Sequence, residues 1–204
     1  GFVAHRYEAS SQEKTLRMKH SNVRRILVAP DGFKGSLENV EACRAIESGL
    51  RAADYRGEIE LLLVADGGDG TLTALEAGDL GHRRETTVED AYGGSVKAAW
   101  WLADDGLAVI EMSRVAGLAL SHRQDPGRAS TFGVGQLILA AIAEGAREIW
   151  IGCGGSATVD GGAGCLAALG FQLLDEDGKH LGPGGFELNR LHRIEPPTDL
   201  PNVP

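Results

Sequence analysis

The sequence has little that would bind a nucleic acid or a membrane. Aromatic residues make up only 5% of its 204 residues, and the formal net charge is −9. An acidic chain repels phosphate backbones and anionic lipids, so we expect neither nucleic acid nor a membrane as a partner. The longest apolar run, residues 137–143, is far too short to span a bilayer. Any anionic ligand must therefore be bound locally, by backbone N–H groups, a few cations or a metal ion.

Cysteine is also scarce. The three cysteines, Cys43, Cys153 and Cys165, match no zinc spacing and are odd in number. They are interpreted as free thiols in a reducing compartment, which predicts a cytoplasmic protein. Residues 1–20 are mostly polar, lack the apolar core of a signal peptide and include Met18. We interpret them as a disordered or vector-derived extension.

The first part of the chain follows a strand–helix pattern. Residues 24–30 form a short aliphatic run, and a helical pattern follows from Leu37 to Leu50, with Ser36 as its expected N-cap. A second aliphatic run covers residues 59–65, and a second helix is expected at residues 71–77. The order β-α-β-α predicts an α/β fold, with a Rossmann-like parallel sheet in a first lobe over residues 21–84.

The pattern then changes to alternating apolar and polar residues. Residues 95–103 and 107–112 flank a turn at 104–106, which predicts an antiparallel hairpin. Further helices and strands are expected at 132–144, 148–151, 165–169 and 171–174. We therefore predict a second, mixed α/β lobe over residues 85–185. Residues 186–204 are expected to be a linker or an incomplete return to the first lobe.

Three glycine-rich corners each follow a predicted strand. The second corner, VADGGDGT (residues 64–71), places Asp66 and Asp69 around Gly67 and Gly68. Glycines let a backbone approach an anion, and the next helix offers free N–H groups. Two carboxylates there imply a bridging Mg²⁺, or one of them could act as a base. The alternative is an ordinary turn with Asp as a cap.

The third corner, GCGGSATVDGG (residues 152–162), has two interpretations. Gly152-x-Gly154-x-x-Ala157 imitates a dinucleotide fingerprint, and Asp175 follows at about the right distance, so a nicotinamide-dependent dehydrogenase is a rival. However, Gly161 and Gly162 would then fall in the first turns of a helix, at a cost of about 1 kcal/mol each. A longer loop that binds phosphate and Mg²⁺ is favoured.

The first corner, APDGFKGSL (residues 29–37), places Lys34 between glycines just beyond the first strand. Lys34 could pair with a carboxylate or phosphate, and Asp31 could orient it or act as a base. In open α/β sheets ligands bind at the carboxyl ends of the strands, so we expect the three corners to converge. Elsewhere, Glu111 interrupts an apolar run and needs a partner, either Arg114 or a ligand.

The segments APDGFKGSL, VADGGDGT, VIEMSRVAGL, STFGVGQLI and GCGGSATVDGGAGCLAALG, in this order, resemble the bacterial glycerate kinases of the type I family. The resemblance covers roughly residues 26–177. It departs at Gly32, where the family has Ser, at Asp69, where it has Glu, and at residues 90–95, where DAYGGS replaces D-P-L-G-R. Members of the family are nearly twice as long, so this chain resembles the N-terminal part of such an enzyme.

The resemblance implies ATP-dependent phosphorylation of D-glycerate with Mg²⁺, in a cleft between two lobes. Lys34, Asp66 and Asp31 would be catalytic, with Asp66 as base or metal ligand, and Asp69 and Asp160 would hold the metal. The nucleotide would be bound by a set of glycines and hydroxyl residues: Gly67, Gly68, Gly70, Thr71, Gly154, Gly155, Ser156, Gly161 and Gly162. Beside the dehydrogenase, a non-catalytic module that binds nucleotide or hydroxy acid is a second rival. An incomplete lobe interface would also favour self-association.

Overall fold

A computed structural model describes residues 24–33, 36–78, 81–120 and 125–198 of the chain. Lys34 lies outside the described residues. The regular elements, in chain order, are β1 (Arg25–Val28), α1 (Asn39–Ala52), β2 (Glu58–Leu61), α2 (Thr71–Ala77), β3 (Gly81–Glu89), β4 (Ser95–Ala103), β5 (Leu107–Glu111), α3 (Ser113–Ala116), α4 (Phe132–Ala143), β6 (Glu148–Gly152), α5 (Ala163–Ala168), β7 (Gln172–Leu174), a 3₁₀ helix (Gly185–Arg190) and β8 (Arg193–Glu195).

The first strand–helix unit forms in the predicted order, but β2 ends at Leu61 rather than at residue 65, and most residues of the two strands are exposed rather than buried. β1 pairs in parallel with β2, and α1 connects them. The helix begins two residues later than expected, and its N-cap is Glu38 rather than Ser36. The reason is a capping box, in which the Glu41 carboxylate accepts a hydrogen bond from the Glu38 backbone N–H at 3.1 Å.

A four-stranded sheet in the order β3-β4-β5-β6 forms the centre of the protein. β4 and β5 are the predicted antiparallel hairpin, and β6 adds to β5 in parallel. Sequence reasoning missed β3, most of whose nine residues are charged or hydroxylated; it pairs with β4 along its full length. The mixed α/β fold class is confirmed.

Two adjacent tryptophans show how this sheet is covered on both faces. Trp100 packs with Val134 and Leu137 of α4, whereas Trp101 packs with Leu72 of α2. Successive residues of a strand point to opposite faces, so the two helices lie on opposite sides of the sheet. The second corner, which leads into α2, is therefore anchored on the central sheet by Leu72. The division into two lobes stays a prediction.

The end of the described chain is more regular than expected. A 3₁₀ helix covers Gly185–Arg190, and β8 pairs antiparallel with β7. Arg190 binds the Asp175 carboxylate at 2.6 Å and so fixes this hairpin to the turn after β7. Over the parts of the chain that the structure describes, every helix is too short or too polar to cross a membrane.

Candidate functional site

The three glycine-rich corners converge on one cavity of about 610 Å³, here called the corner cavity. Its walls include residues from each corner: Asp31 and Gly32 from the first, Asp66, Gly68 and Asp69 from the second, and Gly154 and Gly155 from the third. These residues are up to 124 positions apart in sequence (Asp31 to Gly155). The expected convergence at the carboxyl ends of the strands is confirmed.

The second corner is held in shape by its own side chains. The Asp66 Oδ1 accepts a hydrogen bond from the Gly68 N–H at 2.7 Å. The Thr71 hydroxyl accepts one from the Gly67 N–H at 3.1 Å and donates one to the Gly68 carbonyl at 2.9 Å. Gly67 and Gly70 have φ of +82° and +95°, which disfavour any side chain. Thus Thr71 and these two glycines shape the turn, while Asp66, Gly68 and Asp69 face the cavity.

The second and third corners touch backbone to backbone. The Gly154 N–H donates to the Gly67 carbonyl at 3.1 Å. A Cβ on Gly152 would lie 2.2 Å from the Gly67 carbonyl oxygen, and one on Gly154 would lie 2.5 Å from the Gly68 Cα. The glycines at 152 and 154 are therefore required by close packing of the two corners. Gly154 and Gly155 line the corner cavity, and their binding of nucleotide stays a prediction.

The far end of the third corner lies elsewhere. Asp160 is 1% exposed, and its carboxylate accepts hydrogen bonds from two side-chain hydroxyls and three backbone N–H groups, at 2.8–3.1 Å. The donors are the Thr131 N–H and hydroxyl, the Thr158 hydroxyl, and the N–H groups of Gly162 and Gly164. Although burial pushes its pKa upward, these hydrogen bonds hold the pKa of Asp160 below its usual value.

This arrangement gives Asp160 a different role from the predicted one. Its lone pairs are used by the loop and by the start of α5, so it joins the third corner to Thr131 rather than facing the corner cavity. Gly161 and Gly162 have φ of +60° and +86°, which explains these glycines by backbone conformation. Beyond them, Ala163 and Gly164 line a second cavity of about 500 Å³. The Ser156 hydroxyl also makes a hydrogen bond within the third corner, since it donates to the Cys153 carbonyl at 2.8 Å.

The start of α5 also weighs against a dinucleotide fingerprint. In such a fingerprint the helix begins within the glycine motif. Here α5 begins at Ala163, and Gly162 is its N-cap. Asp175, which would contact a ribose, instead binds Arg190 and the N–H groups of its own turn. The longer-loop interpretation is favoured.

The corner cavity is acidic. Besides Asp31, Asp66 and Asp69 its walls include Glu38 and Glu41, and none of the described lining residues is Lys or Arg. Asp69 makes no hydrogen bond or ion pair among the residues that the structure describes. A phosphate could enter such a cavity only with a cation, and carboxylate oxygens are suitable ligands for Mg²⁺.

The cavity offers few protein ligands for Mg²⁺. Within the described ranges, no group of three or more His, Cys, Asp or Glu side chains is close enough to hold a metal ion. Mg²⁺ usually binds one or two carboxylates and keeps several waters or substrate oxygens. Asp66 and Asp69 match a site in which two carboxylates hold Mg²⁺ and water or substrate supplies the other ligands. Asp31, from the first corner, is a third carboxylate at the cavity wall. Its Oδ1 accepts the Gly32 N–H at 2.7 Å.

Sequence reasoning missed Asn39, a nearly fully buried amide at the cavity wall. A Cβ on Gly70 would lie 3.3 Å from its Nδ2, so Asn39 packs against the second corner. In the sequence, Asn39 is a polar residue at the start of a helix, which is typical of an ordinary helix cap and does not indicate a binding site.

The ion-pair alternative for Glu111 is confirmed, because Arg114 Nε binds its carboxylate.

The comparisons with known proteins identify a family. A model of the glycerate kinase family matches residues 26–202. A glycerate kinase of Halalkalibacterium halodurans is 42% identical over 173 residues, which cover 83% of this chain and 46% of that protein. The glycerate 2-kinase of Escherichia coli is 42% identical over 174 residues, covering 84% of this chain and 46% of that protein.

A crystal structure from Salmonella typhimurium LT2, assigned as a glycerate kinase 2, is 38% identical and superimposes with a TM-score of 0.67. The match covers 85% of this chain and 47% of that one. The chain thus spans about half the length of the curated relatives it matches. The family model and the relatives cover the corner cavity and most of the described fold, and the chain therefore belongs to the glycerate kinase family.

Proposed function

We propose that this chain supplies part of the active site for ATP-dependent phosphorylation of D-glycerate, and that the corner cavity is where the reaction takes place. The observation that carries the proposal is the convergence of three glycine-rich corners on one acidic cavity. Family membership supports a kinase, for which ATP is the expected phosphoryl donor. The relatives' names supply the acceptor, glycerate.

The chemistry of the cavity fits phosphoryl transfer, which needs mainly positioning and neutralisation of charge. Asp66 and Asp69 would hold Mg²⁺, which supplies the positive charge that draws phosphate oxygens into an acidic site. Gly154 and Gly155 would let the phosphates approach the backbone of the third corner. Lys34 would pair with the glycerate carboxylate or the transferring group.

The acceptor hydroxyl needs a base. In the proposal Asp66 is either this base or the ligand of Mg²⁺ beside Asp69, and Oδ2 is the oxygen that would act, because Oδ1 is used by the turn and Oδ2 makes no hydrogen bond among the described residues. Asp31 is the alternative base, in the same cavity. Asp160, Ser156, Gly161, Gly162, Gly67, Gly70 and Thr71 would act by shaping the corners rather than by contacting ligands.

Two further parts of the proposal concern the protein's surroundings. We place the protein in the cytoplasm, supported by the free thiols of Cys43, Cys153 and Cys165. Self-association stays a prediction, supported by the exposure of Leu27 and Trp150, at 55% and 57%. Light scattering across a concentration series tests it, and a constant monomer mass would contradict it.

The experiment that tests the function is a coupled ADP-release assay with D-glycerate, ATP and Mg²⁺. It is run on this chain and on a version extended to the full length of the relatives. We expect turnover in the extended version and little or none in this chain alone. Absence of turnover in an extended protein that is folded would refute the proposal. NADH binding without ATP binding would favour the dehydrogenase instead.

A further inference from the structure

Glu111 is a fully buried carboxylate that the proposed reaction does not use. It is the last residue of β5 and is 0% exposed, among apolar neighbours. Burial of a charge is costly unless it is paired and hydrogen-bonded. Glu111 meets both conditions, since Oε1 accepts the Leu72 N–H at 2.6 Å and Oε2 binds Arg114 Nε.

The bond to Leu72 is the important one, because it reaches another element. Leu72 is in the first turn of α2, where helix N–H groups have no partner within the helix. The N-cap of α2 is Gly70, which has no side chain to supply a bond, and the Thr71 N–H reaches the Gly68 carbonyl only at 3.3 Å. Leu72 is fully buried, so water cannot take the place of Glu111.

The start of α2 is continuous with the second corner. Leu72 lies three residues after Asp69 and six after Asp66. The intervening Thr71 hydroxyl binds both Gly67 and Gly68, so a shift of the first turn moves the corner with it. Glu111 is itself fixed by β5, whose neighbours in the sheet are β4 and β6. Glu111 thus joins the start of α2, and through it the second corner, to the central sheet, in addition to the packing of Leu72 and the contacts of Gly67 with the third corner.

We propose that Glu111 is a positioning residue, which sets where Asp66 and Asp69 stand in the corner cavity by holding the Leu72 N–H. The inference rests on the proposed function for its effect on turnover. Its structural part, control of the second corner by Glu111, holds whatever the ligand is. Arg114, whose side chain is 30% exposed, provides the charge that balances Glu111 at the protein surface.

The test compares Glu111→Gln with a matched control, Asp175→Asn. Both native carboxylates are buried, and each accepts a hydrogen bond from an arginine; Glu111 also accepts one from a backbone N–H group, and Asp175 two. The Gln and Asn side chains have the same size as the native Glu and Asp but only one acceptor oxygen in place of two. Of the two, Glu111 bonds to the first turn of α2, which continues the second corner, whereas Asp175 lies in the turn after β7.

The first readout is amide hydrogen exchange of residues 67–72 in this chain, without ligand. We expect exchange at Leu72 and in the corner to be at least tenfold faster in Glu111→Gln and unchanged in Asp175→Asn. The Gln amide oxygen could still accept the Leu72 N–H, so Glu111→Ala, whose side chain has no acceptor, is measured as well, and unchanged exchange in both variants would overturn the proposal. If these variants fail to fold, Glu111→Asp replaces them, because the shorter carboxylate keeps its charge but cannot reach both partners.

The second readout uses the extended protein. Glu111→Gln should lower kcat about tenfold or more and raise the Mg²⁺ concentration for half-maximal activity, while Asp175→Asn changes neither by more than about twofold. A lower melting temperature with unchanged kcat and Mg²⁺ dependence would show a merely structural role and overturn the inference. If the unsubstituted extended protein does not turn over, the proposed function fails, and the exchange experiment alone decides the role of Glu111.

Discussion

The Gly154 N–H donates a hydrogen bond to the Gly67 carbonyl at 3.1 Å, and this bond joins the third glycine-rich corner to the second. Both partners are main-chain groups of glycines, so the two corners approach more closely than any larger residue would allow. Asp66, Asp69, Gly154 and Gly155 all line the corner cavity, so this bond lies beside the cavity wall. The glycines therefore build the site even where they do not contact a ligand.

Gly154→Ala should separate the two corners. Its Cβ would lie 2.5 Å from the Gly68 Cα, a backbone atom that cannot move aside on its own. We expect a loss of about 1–3 kcal/mol in the free energy of unfolding, typical of overpacking. In the extended protein, turnover should fall by more than the loss of stability explains, because the cavity wall moves.

The matched control is Gly49→Ala in α1, where a Cβ would meet no atom within 4 Å. It should stabilise the protein by about 0.5–1 kcal/mol, as Ala does over Gly inside a helix. Urea denaturation measures both variants. Equal stability of Gly154→Ala and the parent protein would show that the corners do not depend on this close contact.

The convergence of the corners could be predicted because it depends on local patterns. Each corner follows an aliphatic run, and β1 and β2, which pair in parallel, end at one edge; the third corner follows β6, which lies in a different sheet. The role of Asp160 could not be predicted, because it is set by Thr131, 29 residues earlier in the chain. The bond from Leu72 to Glu111 spans 39 residues and is equally invisible in the sequence. β3 was missed because its polar residues alternate weakly, and only pairing with β4 makes it a strand.

Asp160→Asn should destabilise the protein in a pH-dependent way. The pKa of Asp160 is lowered in the folded protein, so its contribution is complete above the unfolded value, about 3.9, and is lost as pH falls through the folded value. At pH 7 we expect the variant to lose about 3 kcal/mol, since buried N–H donors lose a charged acceptor. The difference in unfolding free energy between the variant and the parent should shrink as the pH falls below about 4.

Urea unfolding at a series of pH values tests this, with Asp104→Asn as the control. Asp104 is exposed, and its contact with His82 is at 3.8 Å, so its replacement should change the stability at pH 7 by less than about 1 kcal/mol. A difference between Asp160→Asn and the parent that is small at pH 7, or that grows as the pH falls, would contradict the assigned hydrogen bonds.

The two cysteines of the third corner and α5 should differ in reactivity. Burial, with the nearby charge of Asp160, raises the pKa of the Cys165 thiol to about 11. Since the thiolate is the reactive form, very little of Cys165 is reactive at pH 8. Cys153 is exposed. We expect iodoacetamide at pH 8 to label Cys153 at least tenfold faster than Cys165, as measured by peptide mass spectrometry. Equal rates in the folded protein would contradict the raised pKa of the half-buried Cys165.

Asp66→Asn tests the centre of the proposed site. The Asn amide oxygen can still accept the Gly68 N–H, so the turn should keep its shape, while the charge is removed from the cavity. Asp105→Asn is the matched control, because Asp105 Oδ1 accepts the Leu107 N–H in the same manner, in the turn between β4 and β5. Both variants should unfold within about 1 kcal/mol of the parent protein, since exposed substitutions of this kind are mild.

Asp66→Asn and Asp105→Asn should differ in their effects on metal binding and turnover. In the extended protein, Asp66→Asn should lower kcat by about 100-fold or more, as expected when a base or a metal ligand is removed. In this chain, Mn²⁺ used as a probe for the Mg²⁺ site should broaden the amide signals of Gly68 and Gly154 in the parent and in Asp105→Asn, and do so more weakly in Asp66→Asn. If Asp66→Asn keeps both near-normal turnover and normal Mn²⁺ broadening, Asp66 is neither base nor metal ligand. Asp31 and Asp69 would then be the carboxylates of the three corners left to perform those roles.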